Sequence, residues 1–310
     1  MEHYTQIITF IQQIINGLKI GSVYSLVALG YTMVYGIIRL INFAHGDFIM
    51  VGSYTLLYSI PLMVGAGMPA WTAVIVAVAV CVLVGITVEK VAYKPVRKKG
   101  NNMSALITAI AMSLFLENLA QTIFGAAPKP VGTIFKIPDL TVGTIKFNGN
   151  TILTIALGIT VMVALQFFVQ KTRTGKAMRA VSEDGQAAVL MGVNRNQTIT
   201  VTFAIGSGLA AIASLMYCAA YPQATPTLGS MLGLKAFVAA VLGGIGIIPG
   251  AMLGGITVGL IESLTKAYIG KLTGGVITSA FSDAFVFGIL IVVLLVKPSG
   301  ILGKNIGEKV

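Results

Sequence analysis

Charge is scarce in this chain. Asp, Glu, Lys and Arg make up 10% of its 310 residues, against about 25% in ordinary soluble domains. With 56% hydrophobic residues and a mean hydropathy of +0.90, no single core in water can hide the apolar surface. That excludes a soluble globular fold and makes the bilayer the solvent. Cysteine is also scarce. Cys81 and Cys218 lie in apolar runs without a CxxC partner, which argues against a disulfide framework or a thiolate metal site. There is no helical H-E-x-x-H, no Cys/His zinc spacing and no G-x-S-x-G elbow, so no motif supports an embedded enzyme. A P-loop is missing too: Gly175-Lys176 is followed by Ala177, and Gly270-Lys271 by Leu272. The backbone nest and lysine that hold nucleotide phosphates are therefore absent, and no cofactor or metal is expected on this chain.

The net charge of +11 does not indicate nucleic acid. The bases gather in a few loops between apolar spans, where they set membrane orientation, rather than in a stripe on a soluble face. The first residues, MEHYTQIITF, have no basic n-region and no A-x-A-like site follows, so the first span is expected to be retained rather than removed as a signal peptide.

A spanning helix needs about 20 mostly apolar residues. The candidates are 18–38, 47–65, 71–91, 104–124, 151–170 and 197–218, then a glycine-rich region 231–266, then 276–296. This predicts an all-α, polytopic membrane protein of about 8–9 transmembrane helices, some of them broken, forming one transmembrane unit over 1–310. Lys19 and Arg39 are expected to flank the first span, and Trp71 opens the third at an interface position. Segment 89–103 carries Lys90, Lys94, Arg97, Lys98 and Lys99 against one acid, which puts it in the cytoplasm. Parity places the basic loop 171–196 on the same side, and 60–70, 125–150 and 219–230 outside. Within 125–150, the patches Thr133–Ile137 and Thr144–Phe147, separated by Pro138 and Gly143, predict a small hairpin. The region 231–266 reads as two passes or two half-helices more readily than one broken span, because that leaves Lys297, Lys304 and Lys309 inside.

The loop from Lys171 to Gln197 is the polar exception. It holds Lys171, Arg173, Lys176, Arg179 and Arg195 against Glu183 and Asp184. Gly175 precedes one helical run (176–184), Gly185 stands at a joint, and Gly192 closes a second run (186–191). A glycine just past a helix end takes the left-handed conformation, and the following Val193 is positioned to pack back on the last turn. A docked helical hairpin is expected, not a tether.

Candidates for a path or gate come from breaks and ionisable groups in apolar surroundings. Asn42, His45 and Asp47 cluster around Gly46 between the first two spans; both a solvated loop and a structured gate fit that pattern. Glu117 and Asn118 sit well inside a span, where a charge costs about 2.5–3.5 kcal/mol on insertion scales. Glu262 and Asp283 lie nearer span ends, where solvation is expected. Gly246, Gly250 and Gly254, then Gly255 and Gly259, recur every four residues, as does the pair Gly17 and Gly21. This spacing allows close helix approach, and Pro249 with its glycines also suits a helix interrupted beside a pore.

Four pieces then converge: GSVYSLVALGYTMVYGIIRLINFAHGDFIMVGSY (21–54), EKVAYKPVR (89–97), RTGKAMRAVSEDGQAAVLMGVN (173–194) and KAFVAAVLGGIGIIPGAMLGG (235–255), closed by KPSGILG (297–303). In these the chain resembles the LivH-type permeases of bacterial high-affinity branched-chain amino acid ABC importers. The resemblance implies an ABC importer permease fold, a multi-pass protein of the cytoplasmic (inner) membrane, and transport of Leu, Ile and Val. It also implies four partners: a second, LivM-like permease subunit, two ATP-binding cassette subunits that bind and hydrolyse the ATP, and an external substrate-binding protein. By position, Glu183, Ala187, Ala188 and Gly192 take the place of the motif that seats in the ATPase, with Gly175, Arg179 and Asp184 in the same loop. Related permeases carry urea, amides or other amino acids, and an ion-coupled secondary carrier is the reading from another class.

Overall fold

A long apolar run has one satisfactory conformation in lipid, because a helix closes its backbone hydrogen bonds within itself. The computed structural model describes residues 2–99, 102–135, 137–142 and 145–303. Among them the helices are α1 (Glu2–Ile38), α2 (Asp47–Gly65), α3 (Thr72–Val88), α4 (Lys94–Lys99), α5 (Asn102–Phe124), α6 (Gly149–Lys171), α7 (Arg173–Glu183), α8 (Gly185–Leu190), α9 (Arg195–Ala220), α10 (Leu228–Gly243), α11 (Ile248–Leu272) and α12 (Ser282–Val296). Eight helical stretches of the described residues are long and apolar enough to cross a membrane. The ninth apolar helix, α10, has 16 residues. At 1.5 Å per residue it reaches about 24 Å, short of a ~30 Å hydrocarbon core.

Helix α1 occupies the centre and packs on α6, α9, α10 and α11. It begins at Glu2 rather than near residue 18, because its first turns continue along α11. The two helices run antiparallel. A side-chain carbon on Gly21 would lie 2.8 Å from Ile256 Cα, and one on Gly17 would lie 2.9 Å from Leu260 Cα. Further out, the Ser263 hydroxyl donates to the Gln13 carbonyl at 2.8 Å. Lys19 is consequently mid-helix instead of flanking a span, its ammonium 5.9 Å from the Tyr221 ring centre. Gly255 and Gly259 complete this seam against Ser25, Gly17 and Gly21. Gly254 and Gly250 pack on the other side, against the Ala239 and Gly243 carbonyls of α10. The glycine ladder is thus a two-sided packing surface.

The glycine-rich region folds as α10, a corner at 244–247, and α11. Gly244 and Gly246 take φ of 107° and 90°, and Pro249 stands in the first turn of α11, where its missing N–H costs nothing. Pro249 therefore starts a helix instead of interrupting one. The C-terminal segment clamps this corner: Ile301 N–H donates to the Leu242 carbonyl at 2.8 Å and Leu302 N–H to Gly243 at 3.1 Å. Lys304 and Lys309 lie outside the described residues.

At the opposite end, β1 (Lys129–Pro130) pairs antiparallel with β4 (Gln223–Ala224), joining 125–150 to 219–230. The small hairpin forms, but between β2 (Leu140–Val142) and β3 (Ile145–Phe147). Its first strand lies beyond Pro138, at 140–142 and not at 133–137. Lys136, Gly143 and Thr144 lie outside the described residues. Cys81 and Cys218 are buried and free.

Candidate translocation and coupling sites

Local chemistry builds the hairpin of α7 and α8. Thr172 caps α7, its hydroxyl oxygen accepting from Gly175 N–H at 3.0 Å. Gly175 is therefore inside α7 rather than before it, pressed against the carbonyls of Phe168 and Val169 where a side chain has no room. Asp184 caps α8, accepting from Gln186 N–H at 2.8 Å and Ala187 N–H at 3.0 Å. The Ala187 bond, then the Gln186 bond, holds its carboxyl below the usual range. Gly192, at φ 87°, ends the motif, and Val193 N–H reaches back to the Ala188 carbonyl at 3.0 Å. This is the six-residue closing bond of a helix C-terminus.

The hairpin is docked. Met178, Val181 and Ala188 are buried, and the Ser182 hydroxyl donates to the Gly36 carbonyl of α1 at 2.6 Å. A cleft of about 230 Å³ lies at this joint, lined by Gly36, Gln166, Arg179, Ser182, Gly246 and Pro249, among others. Arg179 caps its rim, donating to the Gln170 carbonyl at 3.1 Å. The corner at 244–247, the C-terminal segment and the hairpin therefore share one end of the molecule. The basic segment joins them there. Glu89, in a π-helical turn (Glu89–Tyr93), is fully buried and accepts from Arg97 at 3.3 Å and the Thr200 hydroxyl at 2.9 Å. Arg97 also donates to Asn196 at 3.1 Å. Both basic loops thus sit on one side, as parity requires.

Glu183, Ala187 and Gly192 face outward from the hairpin while Ala188 and Gly175 face inward. The most prominent outward residues are Leu190 and Met191, 87% and 84% exposed. Sequence reasoning passed over them. The signal was two bulky apolar residues immediately before the closing glycine of a polar loop.

The 39–47 junction is not a solvated loop. Asn42, His45 and Asp47 are each at most 2% exposed. Arg39 takes a left-handed φ of 56° and turns the chain back along α1. His45 packs on Gly30, whose missing side chain makes the space, so the junction re-enters about 12 Å from the end of α1 at Ile38. Edge-on rings of Tyr31 at 4.8 Å and Phe48 at 5.8 Å fix the imidazole, and Tyr93 donates to Asn42 Oδ1 at 2.6 Å. Asp47 opens α2. Neither of its oxygens has a hydrogen-bond partner of ordinary geometry; Ser113 and Glu117 of α5 face it, and Gly229 of α10 abuts it. A helix N-terminus contributes about 0.3–1 kcal/mol to a nearby carboxylate, less than the several kcal/mol that burial costs. Non-helical backbone at this depth is tolerated where protein buries it or a cavity is lined.

Glu117, half-buried, accepts from the Ser230 hydroxyl at 2.9 Å. Asn118 is exposed on the outer face of α5 and donates to the Leu114 carbonyl at 2.7 Å. Glu262 departs from expectation: it is 2% exposed, not solvated. It accepts from Tyr24 at 2.6 Å, from Lys235 at 2.9 Å and from Lys266 at 2.5 Å. Lys235 also pairs with half-buried Asp283 at 2.7 Å. The cause is tertiary: α1, α10, α11 and α12 converge where hydropathy alone marks a span end.

The model of the branched-chain amino acid transport system permease component family matches residues 13–294. The chain belongs to that permease family. It is 40% identical over 314 residues to the high-affinity branched-chain amino acid transport system permease protein BraD of Pseudomonas aeruginosa, covering 98% of this chain and 99% of BraD. It is 41% identical over 315 residues to LivH of Salmonella typhimurium, with the same coverage. A probable LivH of Methanocaldococcus jannaschii is 28% identical over 291 residues, 90% of this chain and 88% of that one.

The permease thus gathers most of the path residues nominated by sequence in two places, with Asn118 outside both, on the outer face of α5. Asn42, His45, Asp47 and Glu117 converge where the re-entrant junction meets α5. Gly246, Pro249 and Gly250 lie apart from them, at the corner against which the hairpin docks.

Proposed function

We propose that this chain is the membrane permease subunit of an ATP-driven importer of leucine, isoleucine and valine in the bacterial cytoplasmic membrane, acting as one transmembrane unit over 1–310. The likeness to BraD and LivH at 40–41% identity over nearly all of both chains supports it most strongly. In this reading a LivM-like permease pairs with it, two ATP-binding cassette subunits bind and hydrolyse ATP, and an external binding protein delivers the substrate. The binding protein docks on the end formed by β1 and β4. At the other end Leu190 and Met191 seat in an ATPase subunit, with Glu183, Asp184 and Ala187 around them. The stroke passes through Ser182 to α1 at Gly36 and through the cleft to the 244–247 corner, so hairpin and helix ends move together. Asn42, His45, Asp47, Glu117 and Asn118 stand beside the path.

The test is reconstitution. Proteoliposomes carrying this chain with both ATPase subunits, the second permease and leucine-loaded binding protein are expected to take up labelled leucine only with ATP. Liposomes holding this chain alone are expected to take up none. Leucine uptake by the chain alone, driven by a sodium or proton gradient, would establish the secondary-carrier reading instead. Transport of urea or a short amide in place of leucine would move the substrate within the family.

A further inference from the structure

We propose that the groove between α5 and α10 seats the ammonium group of the transported amino acid between the carboxylates of Asp47 and Glu117. The groove has a volume of about 250 Å³, with Tyr31, Ser113, Glu117 and Ser230 as polar lining and Phe43, Leu114 and Phe237 among its apolar walls. No lining residue is basic. Asp47, 1% exposed, stands directly behind this lining: its Oδ1 abuts Gly229, neither oxygen has a hydrogen-bond partner of ordinary geometry, and Ser113 and Glu117 of α5 are its side-chain neighbours. Ser230 occupies one oxygen of Glu117. The cation of α10 is committed elsewhere, because Lys235 holds Glu262 and Asp283 at 2.9 and 2.7 Å. One carboxylate in the groove and one just behind its wall therefore stand without a cation from the lining.

The walls choose the kind of cation. A hard metal ion takes about six to eight oxygens, and this recess offers mostly rings and aliphatic carbon. Phe43 and Phe237 stand 6.1 Å apart between ring centres, and aromatic faces attract an ammonium while accepting a hydrocarbon chain. A primary ammonium bearing a short branched aliphatic group matches both features. Asp47 stands at the re-entrant junction and Glu117 on a helix whose outer face is bare, with Leu114, Phe115 and Ile107 more than half exposed. A ligand entering from that face meets Glu117 directly, and reaches Asp47 once the wall of Ser113 and Gly229 in front of it parts.

This inference rests on reading the chain as an amino acid permease. The experiment measures leucine imported per ATP hydrolysed by the assembled transporter in proteoliposomes, with saturating leucine-loaded binding protein. Glu117→Gln and Asp47→Asn are each expected to lower that ratio at least tenfold, and Glu117→Asp, which keeps the charge, to retain most of it. Glu117 is half-buried, so its variants carry the test even where Asp47→Asn fails to fold. An unchanged ratio in Glu117→Gln overturns the proposal. So does loss of the second permease subunit from the purified Glu117→Gln complex, which would assign the carboxylates to a basic residue of that subunit. A wild-type complex that imports no leucine defeats the underlying reading and the ammonium seat with it; normal wild-type import with an unaffected Glu117→Gln defeats the seat alone.

Discussion

Glu262→Leu is expected to destabilise the folded permease by about 3–5 kcal/mol, the usual cost of removing one member of a buried ion pair. Glu262 joins four elements. It accepts from Tyr24 on α1, Lys235 on α10 and Lys266 on its own helix, and Lys235 carries the link to Asp283 on α12. Removing the carboxylate leaves a phenol without its acceptor and Lys235 with only the half-exposed Asp283. The informative companion is Glu262→Leu combined with Lys235→Met. Replacing a buried pair by apolar side chains of similar size is often close to neutral, so the double variant is expected to recover most of the loss. Thermal unfolding of the purified protein in detergent reads both. A single variant as stable as the parent would show that the cluster does not tie these helices together.

Gly255→Leu is expected to prevent folding altogether. A side-chain carbon at Gly255 would collide with the backbone nitrogen and Cα of Ser25 as well as its hydroxyl. Backbone atoms cannot rotate away, so α1 and α11 would have to part along their seam. In lipid there is little hydrophobic drive to bring them back, since helix association there depends on close packing. Gly208 on α9 is the control: an added carbon would meet Val82 at 3.6 Å, an ordinary contact. Gly208→Ala is therefore expected to leave stability unchanged or raise it by about 0.5–1 kcal/mol, the usual gain over glycine inside a helix. The yield of monodisperse protein after detergent extraction distinguishes the two. Normal yield of Gly255→Leu would mean that the seam is looser than its geometry implies.

The spans were legible because hydropathy is a local quantity, and each of the long helices could be located from its own residues. The hairpin was legible for a related reason: Thr172, Asp184 and Gly192 act on backbone groups only two to five residues away. Contacts distant in sequence were not legible. That His45 and Asp47 are buried depends on Gly30, Ser113 and Gly229, which stand on three other helices, and a loop rich in Asn, His and Asp reads equally well as solvated. Lys19 looked like a flank because a lysine usually ends a span; here α1 continues past it along α11. The glycine spacing announced close approach, but not that one face of α11 meets α1 while another meets α10.

Gly192 offers the most direct test of the proposal that the hairpin carries the ATPase stroke. At φ 87° a β-branched residue is strained by its backbone alone, while no atom lies within 4 Å to obstruct its side chain. Gly192→Val is expected to disturb the closing bond from Val193 to Ala188 and turn Leu190 and Met191 out of register, with the membrane bundle intact. The measurement is leucine imported per ATP hydrolysed by the assembled transporter in proteoliposomes, with this substitution in this chain only. Normal assembly and a ratio at least tenfold below the parent are expected. A ratio equal to the parent would contradict the proposal.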